Sequence, residues 1–323
     1  MKILVICGPK LGDVVVRIPV IETLKKYGFE VYVLQESWCD LGKYFLVNYA
    51  ILKENRIIKL NSKIKLNILK IIFENFHKFD YIFLTTPATI KTIFFSKILF
   101  PKKSFLFNKN NYKNIIEGDK IILEQLLKRK LNYKLSDFSY VIKENMLNVS
   151  DYIKNITKNK FLCVYPGQWH RSFRKDVWMK LLADFSKKYE NIIIIGGNDT
   201  LWLSISDKKF KNIIDLRNKI SLDETIYIIK KCKIFFTANS GLMWISILLG
   251  VKTIAFHGPS KYIWQYNDNN IVNLRFWNYK NCIGYPCEIL CIYKDYRCIK
   301  FVEAYKIINS IKTHIKIVDP YTQ

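Results

Sequence analysis

The 323-residue sequence contains no stretch of about 18 uncharged apolar residues, so no transmembrane helix is expected. Its start, Met1-Lys2-Ile3-Leu4-Val5-Ile6-Cys7, has only a short apolar run before Gly8 and Pro9. A secretory leader needs a longer apolar region and a small-residue cleavage site. The run therefore reads as a buried first strand, and the expected location is cytoplasmic. The dinucleotide fingerprint Gly-x-Gly-x-x-Gly is missing. So is the C-x2-C knuckle common in zinc sites, although there are eight cysteines. No low-complexity segment or short-period repeat is present, which excludes solenoids and linker-like chains. Acidic side chains are scarce, 27 against 52 Lys and Arg, leaving a net charge of +25.

That charge has two readings. One is a partner carrying phosphates or carboxylates: nucleic acid, an anionic membrane surface or an acidic glycolipid. The other is a Lys-, Ile- and Asn-rich composition of an AT-rich genome, with solvated lysines scattered over the surface. No nucleic-acid-binding module accompanies the charge, so nucleic acid is not an expected partner. Half of the residues are hydrophobic and 24% are charged, a globular composition. The length suits two domains of ordinary size.

Short apolar runs alternate with helix-like segments. Strands are expected over 2–7, 30–34, 56–59, 81–84 and 104–107, with helices near 13–27, 63–77, 89–99 and 117–130. A polar stretch near 145–159 reads as an interdomain connection. Strands are then expected over 161–165, 191–195, 213–215, 234–237, 252–256 and 271–274, with helices over 175–189, 222–231 and 241–250. Alternation of this kind implies α/β architecture with parallel sheets covered on both faces. Two Rossmann-like halves facing each other describe the GT-B arrangement, with boundaries at 1–155 and 156–323. Ligands of such sheets bind beyond the carboxyl ends of the strands, and the four notable motifs all follow strands.

The first motif is Gly8-Pro9-Lys10-Leu11-Gly12-Asp13. Its glycines allow a tight turn and close approach of a ligand to backbone. Asp13 stands where a helix begins, and a capping role is the plain alternative to a chemical one. Pro19, inside the following helical pattern, predicts a kink. The second motif is Val164-Tyr165-Pro166-Gly167-Gln168-Trp169-His170-Arg171, a glycine turn with donors and a cation that suits a phosphate. A surface loop is its alternative. In the third, Thr237-Ala238-Asn239-Ser240-Gly241-Leu242-Met243-Trp244, Ser240 or Asn239 can cap an apolar helix whose free N–H groups favour an anion or sugar hydroxyls. Capping with no ligand is the alternative there. The fourth is Phe256-His257-Gly258-Pro259-Ser260, where His257 could titrate near neutral pH or serve the fold alone.

Together these segments resemble the family 9 glycosyltransferases, the ADP-heptose:lipopolysaccharide heptosyltransferases. The resemblance rests on the opening strand with Gly8 to Asp13 and Pro19, on Tyr165-Pro166-Gly167, and on Ile194 to Asp199. It rests also on Asp215-Leu216, Ser221-Leu222, Asn239 to Met243, Gly250-Val251 and Phe256 to Ser260. It is strongest over 1–25 and 161–300, while 30–150 match only in pattern.

The resemblance implies an inverting transfer of heptose from ADP-heptose to an acidic lipopolysaccharide or lipooligosaccharide core. Asp13 is implied as general base, with Lys10, Leu11 and Gly12 in the acceptor-side loop. Gly167, Arg171, Lys175, Asn239, Ser240, Gly241, Leu242 and Met243 are implied on the donor side. Arg171 stands where the family uses a Lys, and Lys175 is the second choice. The first domain takes the acceptor side and the second the nucleotide sugar, with the last helix packing back on the first. The expected partners are the nucleotide sugar, the acidic glycolipid and, peripherally, the inner-membrane surface. No cofactor is required.

Two positions depart from the family pattern: Asn239 replaces the usual Asp, and Trp244 the usual His. They motivate a different nucleotide sugar, a protein or capsule acceptor, or a non-catalytic nucleotide-sugar-binding protein as alternatives. Cys282, Cys287, Cys291 and Cys298 could hold a structural Zn²⁺ or iron, or could be reduced, partly buried thiols.

Overall fold

The computed structural model describes residues 1–8, 10–36, 40–60, 79–85, 104–106, 112–205, 210–258, 265–276, 291 and 296–318. The chain divides into two compact units, Met1–Met146 and Leu147–Gln323.

The first unit is built on five parallel strands: β1 (Lys2–Cys7), β2 (Glu30–Glu36), β3 (Ile57–Leu60), β4 (Tyr81–Leu84) and β5 (Ser104–Leu106). Their spatial order is β3-β2-β1-β4-β5. In register, Ile3 lies beside Val31 on one side and Tyr81 on the other. A central parallel strand is covered on both faces, which is why β1 is a continuous apolar run rather than an alternating one. Ile3, Val5, Val31, Val33 and Phe83 are fully buried.

Four helices are described in this unit: α1 (Leu11–Val15), α2 (Ile18–Lys26), α3 (Asp40–Asn48) and α4 (Ile115–Leu127). The single helix expected over 13–27 is in fact two. The chain breaks at Val16 and Arg17, and Pro19 falls in the first turn of α2. There the missing N–H has no helical partner to lose, so the proline starts a helix and does not kink one. Asn114 caps α4 by accepting from the Glu117 N–H at 3.0 Å. The helices expected over 63–77 and 89–99 lie outside the described residues.

The second unit carries six parallel strands: β6 (Leu162–Tyr165), β7 (Ile192–Ile194), β8 (Ile213–Asp215), β9 (Ile234–Ala238), β10 (Thr253–Phe256) and β11 (Ile271–Leu274). Their order is β11-β10-β9-β6-β7-β8. Its helices are α5 (Asp151–Ile156), α6 (Lys175–Ser186), α7 (Leu222–Lys231), α8 (Gly241–Leu248), α9 (Arg297–Lys300) and α10 (Ala304–Val318). Helix α5 falls within the polar 145–159 stretch expected to be a connection. The last helix lies against α6 of its own unit. A buried aromatic layer ties α6 to the sheet: Trp178 packs edge-on to Phe236 and Phe256, and Phe173 lies 4.5 Å from Phe256.

Each strand order reverses once. In the first sheet the chain moves out from β1 through β2 and β3, then returns to the other side of β1 with β4. The second sheet does the same from β6 to β9. These reversals leave a crevice at the carboxyl ends of β1 and β4, and of β6 and β9.

Candidate functional site

The β1 edge is organised by close approach. Helix α1 begins with Lys10 as N-cap, and the Asp13 carboxylate reaches back to accept the Lys10 N–H at 3.1 Å. Asp13 is thus a first-turn residue, favoured by the helix dipole, and Lys10 takes the cap position. A Cβ on Gly8 would come 2.6 Å from Asp13 Oδ2. Only glycine therefore lets the carboxylate lie against the strand end. Leu11 and Gly12 are buried, Lys10 is exposed and Asp13 is part-exposed. Thr85, following β4, donates to the Ile6 carbonyl at 2.7 Å and closes the reversal point.

Behind this edge lies a buried ion pair, Arg17 Nη1 to Asp119 Oδ2 at 2.5 Å, with exposures of 3% and 1%. A pair so dry holds only because each charge has its partner. Burial pushes the neighbouring Cys7 thiol up to about 12, so it remains protonated. Cys163 and Cys232 are also buried, as expected of small apolar side chains.

The β6 edge is tighter still. Gly167 has φ +79, and a Cβ there would come 2.5 Å from the Ala238 Cβ at the end of β9. Both conformation and contact demand glycine. The turn is then fixed by side chains. Trp202 Nε1 donates to the Gly167 carbonyl at 2.9 Å. Ser172 Oγ donates to the Pro166 carbonyl and accepts from Trp178 Nε1 at 2.8 Å. Arg171 ends a 3₁₀ turn over Trp169–Arg171 and is part-exposed. Lys175, at the start of α6, donates to Ser204 Oγ at 2.5 Å.

Ser240 is the N-cap of α8, and its Oγ accepts from the Met243 N–H at 3.3 Å. That leaves the Gly241 and Leu242 N–H groups in a first turn, where no helical carbonyl can reach them. Asn239 donates its N–H to the Phe256 carbonyl at 3.1 Å, holding the end of β9 to β10. Gly258 follows β10, and a Cβ on it would lie 3.9 Å from the Arg171 Cα. The turns after β6, β9 and β10 thus meet at one edge. Arg171 and the first turn of α8 both border this edge, residue types suited to a diphosphate.

Two residues singled out in the sequence, His257 and Trp244, are buried in the fold. His257 does not titrate near neutral pH. Burial, then the charge of Arg275, push its imidazole down to about 3, and it stays neutral with Nε2 2.7 Å from Asn273 Oδ1. Trp244 is 2% exposed and packs toward Tyr266 at 6.3 Å, so its ring belongs to the core beneath α8. Of the cysteine cluster, Cys282 and Cys287 lie outside the described residues; Cys291 is part-exposed and Cys298 buried. No group of three His, Cys, Asp or Glu able to hold a metal occurs among the described residues. A separate hollow of about 240 Å³, lined by Ser150, Tyr152, Asp215, Lys219 and Glu224, contains none of the donor-side residues.

Sequence reasoning missed Trp202, which fixes Gly167, and Lys300, which donates to the Trp169 carbonyl. Neither lies in a motif, and a lysine among so many carries no signal.

No protein-family model matches the chain. A curated relative, lipooligosaccharide heptosyltransferase 2 of Campylobacter jejuni serotype O:2, is 26% identical over 342 residues, covering 98% of this chain and 99% of that protein. The crystal structure of a family 9 glycosyltransferase from Veillonella parvula superposes with a TM-score of 0.64 at 15% identity, covering 97% and 96% of the two chains. The E. coli ADP-heptose LPS heptosyltransferase II gives 0.61 at 14% identity, covering 97% and 98%. Along nearly its whole length the chain is similar to proteins named lipooligosaccharide heptosyltransferase 2. Its fold is that of the GT-B glycosyltransferases. In this chain the first glycine turn brings the Asp13 carboxylate to a strand end, and the second is followed by Arg171.

Proposed function

We propose that the protein is an inverting heptosyltransferase that moves heptose from ADP-heptose to an acidic lipooligosaccharide or lipopolysaccharide core. The observation that carries this reading is the β6 edge: Gly167, Arg171 and the first turn of α8 gathered at the sheet's reversal point. Relatives named as heptosyltransferases along nearly the whole chain support the sugar.

In this mechanism Asp13 takes the proton of the acceptor hydroxyl. The hydroxyl oxygen forms a bond to the anomeric carbon, and the bond from that carbon to the diphosphate oxygen breaks. The electron pair leaves with ADP, and the configuration inverts in one displacement. Arg171 and the N–H groups of Gly241 and Leu242 neutralise the charge growing on the leaving group. Lys10, Leu11 and Gly12 form the acceptor-side loop. Lys175, Asn239, Ser240 and Met243 complete the donor side. No cofactor enters the reaction.

Residues 1–155 take the acceptor side and residues 156–323 the donor side. The net charge of +25 supports an anionic acceptor and peripheral attachment to the cytoplasmic face of the inner membrane. No helix among the described residues is long and apolar enough to cross a membrane. Cosedimentation with anionic but not neutral vesicles is the check on that attachment.

Asn239 favours a second reading, in which another nucleotide sugar or a protein or capsule acceptor is used. Asn offers sugar hydroxyls no negative charge, but keeps hydrogen-bonding capacity. Calorimetric titration with ADP, UDP and GDP separates the two. Preferential ADP binding supports the heptose reading, and preference for another nucleotide contradicts it.

A further inference from the structure

Lys300 ends the short helix α9, and its side chain is 5% exposed. Its ammonium donates to the Trp169 carbonyl at 2.5 Å. It also stands 4.2 Å from the centre of the Trp169 ring and 5.3 Å from that of Trp202. Both indoles belong to the turn system of the β6 edge: Trp169 opens the 3₁₀ turn that ends in Arg171, and Trp202 holds the Gly167 carbonyl. Ile299, one residue earlier, reaches Gly258, where an added Cβ would lie 3.4 Å from its Cδ1. A lysine buried against two aromatic faces and a carbonyl, with no carboxylate in ion-pair contact among the described residues, needs a reason to be there.

We propose that Lys300 is a positioning residue: its ammonium, held by Trp169 and Trp202, latches the 166–171 turn and so sets Arg171 in place for a nucleotide diphosphate. The proposal rests on the donor reading given above for this edge. It assigns Lys300 no contact with the substrate.

The test is the affinity for ADP, measured by calorimetry, for wild type, Lys300→Met and Lys300→Arg. Lys300→Met should bind about tenfold more weakly with no loss of thermal midpoint, the scale of one desolvated cation–π contact. Lys300→Arg, which keeps a cation against the indole faces, should restore affinity. Lys300→Met binding ADP as wild type does, or losing affinity only together with its thermal midpoint, overturns the latch. If the wild type binds no ADP at all, the donor reading fails, and the latch is judged without ligand. Indole emission should then differ between wild type and Lys300→Met and return toward wild type in Lys300→Arg; unchanged emission in Lys300→Met overturns it.

Discussion

After β1 the chain turns at Gly8 and presents a carboxylate; after β6 it turns at Gly167 and presents a guanidinium. Both turns follow the first strand of a parallel sheet, and both lie where the strand order reverses. Both need glycine because another group comes within 2.6 Å of where a Cβ would sit, the Asp13 carboxylate in one case and Ala238 in the other. The supports differ. Asp13 accepts from the Lys10 N–H, and side chains of Trp202, Ser172 and Lys300 bind carbonyls of the β6 turn. The proposed function assigns a base to one edge and charge neutralisation to the other.

The comparison can be broken from either side. The largest stability effect is expected for Asp119→Ala, which leaves Arg17 charged and buried beneath the β1 edge and costs about 3–5 kcal/mol in denaturant unfolding. Arg171→Ala should lower turnover about 10²–10³-fold while leaving thermal stability close to wild type, measured by steady-state release of the nucleotide. Gly167→Ala puts a Cβ against Ala238 at positive φ and should cost about 1–3 kcal/mol, with donor affinity falling alongside. Ser240→Ala removes the cap of α8 and should cost about 1 kcal/mol with a small rise in donor KM. One further effect is confined to acid. His257 is depressed on folding, so its stabilising share is full above 6.5 and lost as pH falls toward about 3. His257→Phe should flatten that stretch of the stability profile in thermal melts.

The sheets were legible because parallel buried strands leave long apolar runs that end in glycine or small polar residues. Ile192 to Ile195 before Gly196 is the plainest case, and the described strand, Ile192–Ile194, is one residue shorter at each end than expected. The two glycine turns were legible for the same reason. Pro19 misled: a proline in a helical pattern predicts a kink, but helix initiation fits the same pattern, and only the break at Arg17 decides between them. Trp244 misled in another way, since its place beside the donor motif says nothing of which helix face it occupies. Lys300 was beyond reach altogether, because its environment comes from segments about 130 and 100 residues away in the chain.

On the proposed function, the β1 edge supplies the base and the β6 edge holds the donor. The most direct measurement is ADP release from ADP-heptose with an extracted core acceptor, for wild type and Asp13→Ala, together with ADP binding by both. Turnover that falls about 10²–10⁴-fold in the variant while ADP binds equally well is the predicted result. A variant that still turns over at the wild-type rate, or that loses ADP binding along with activity, would contradict it.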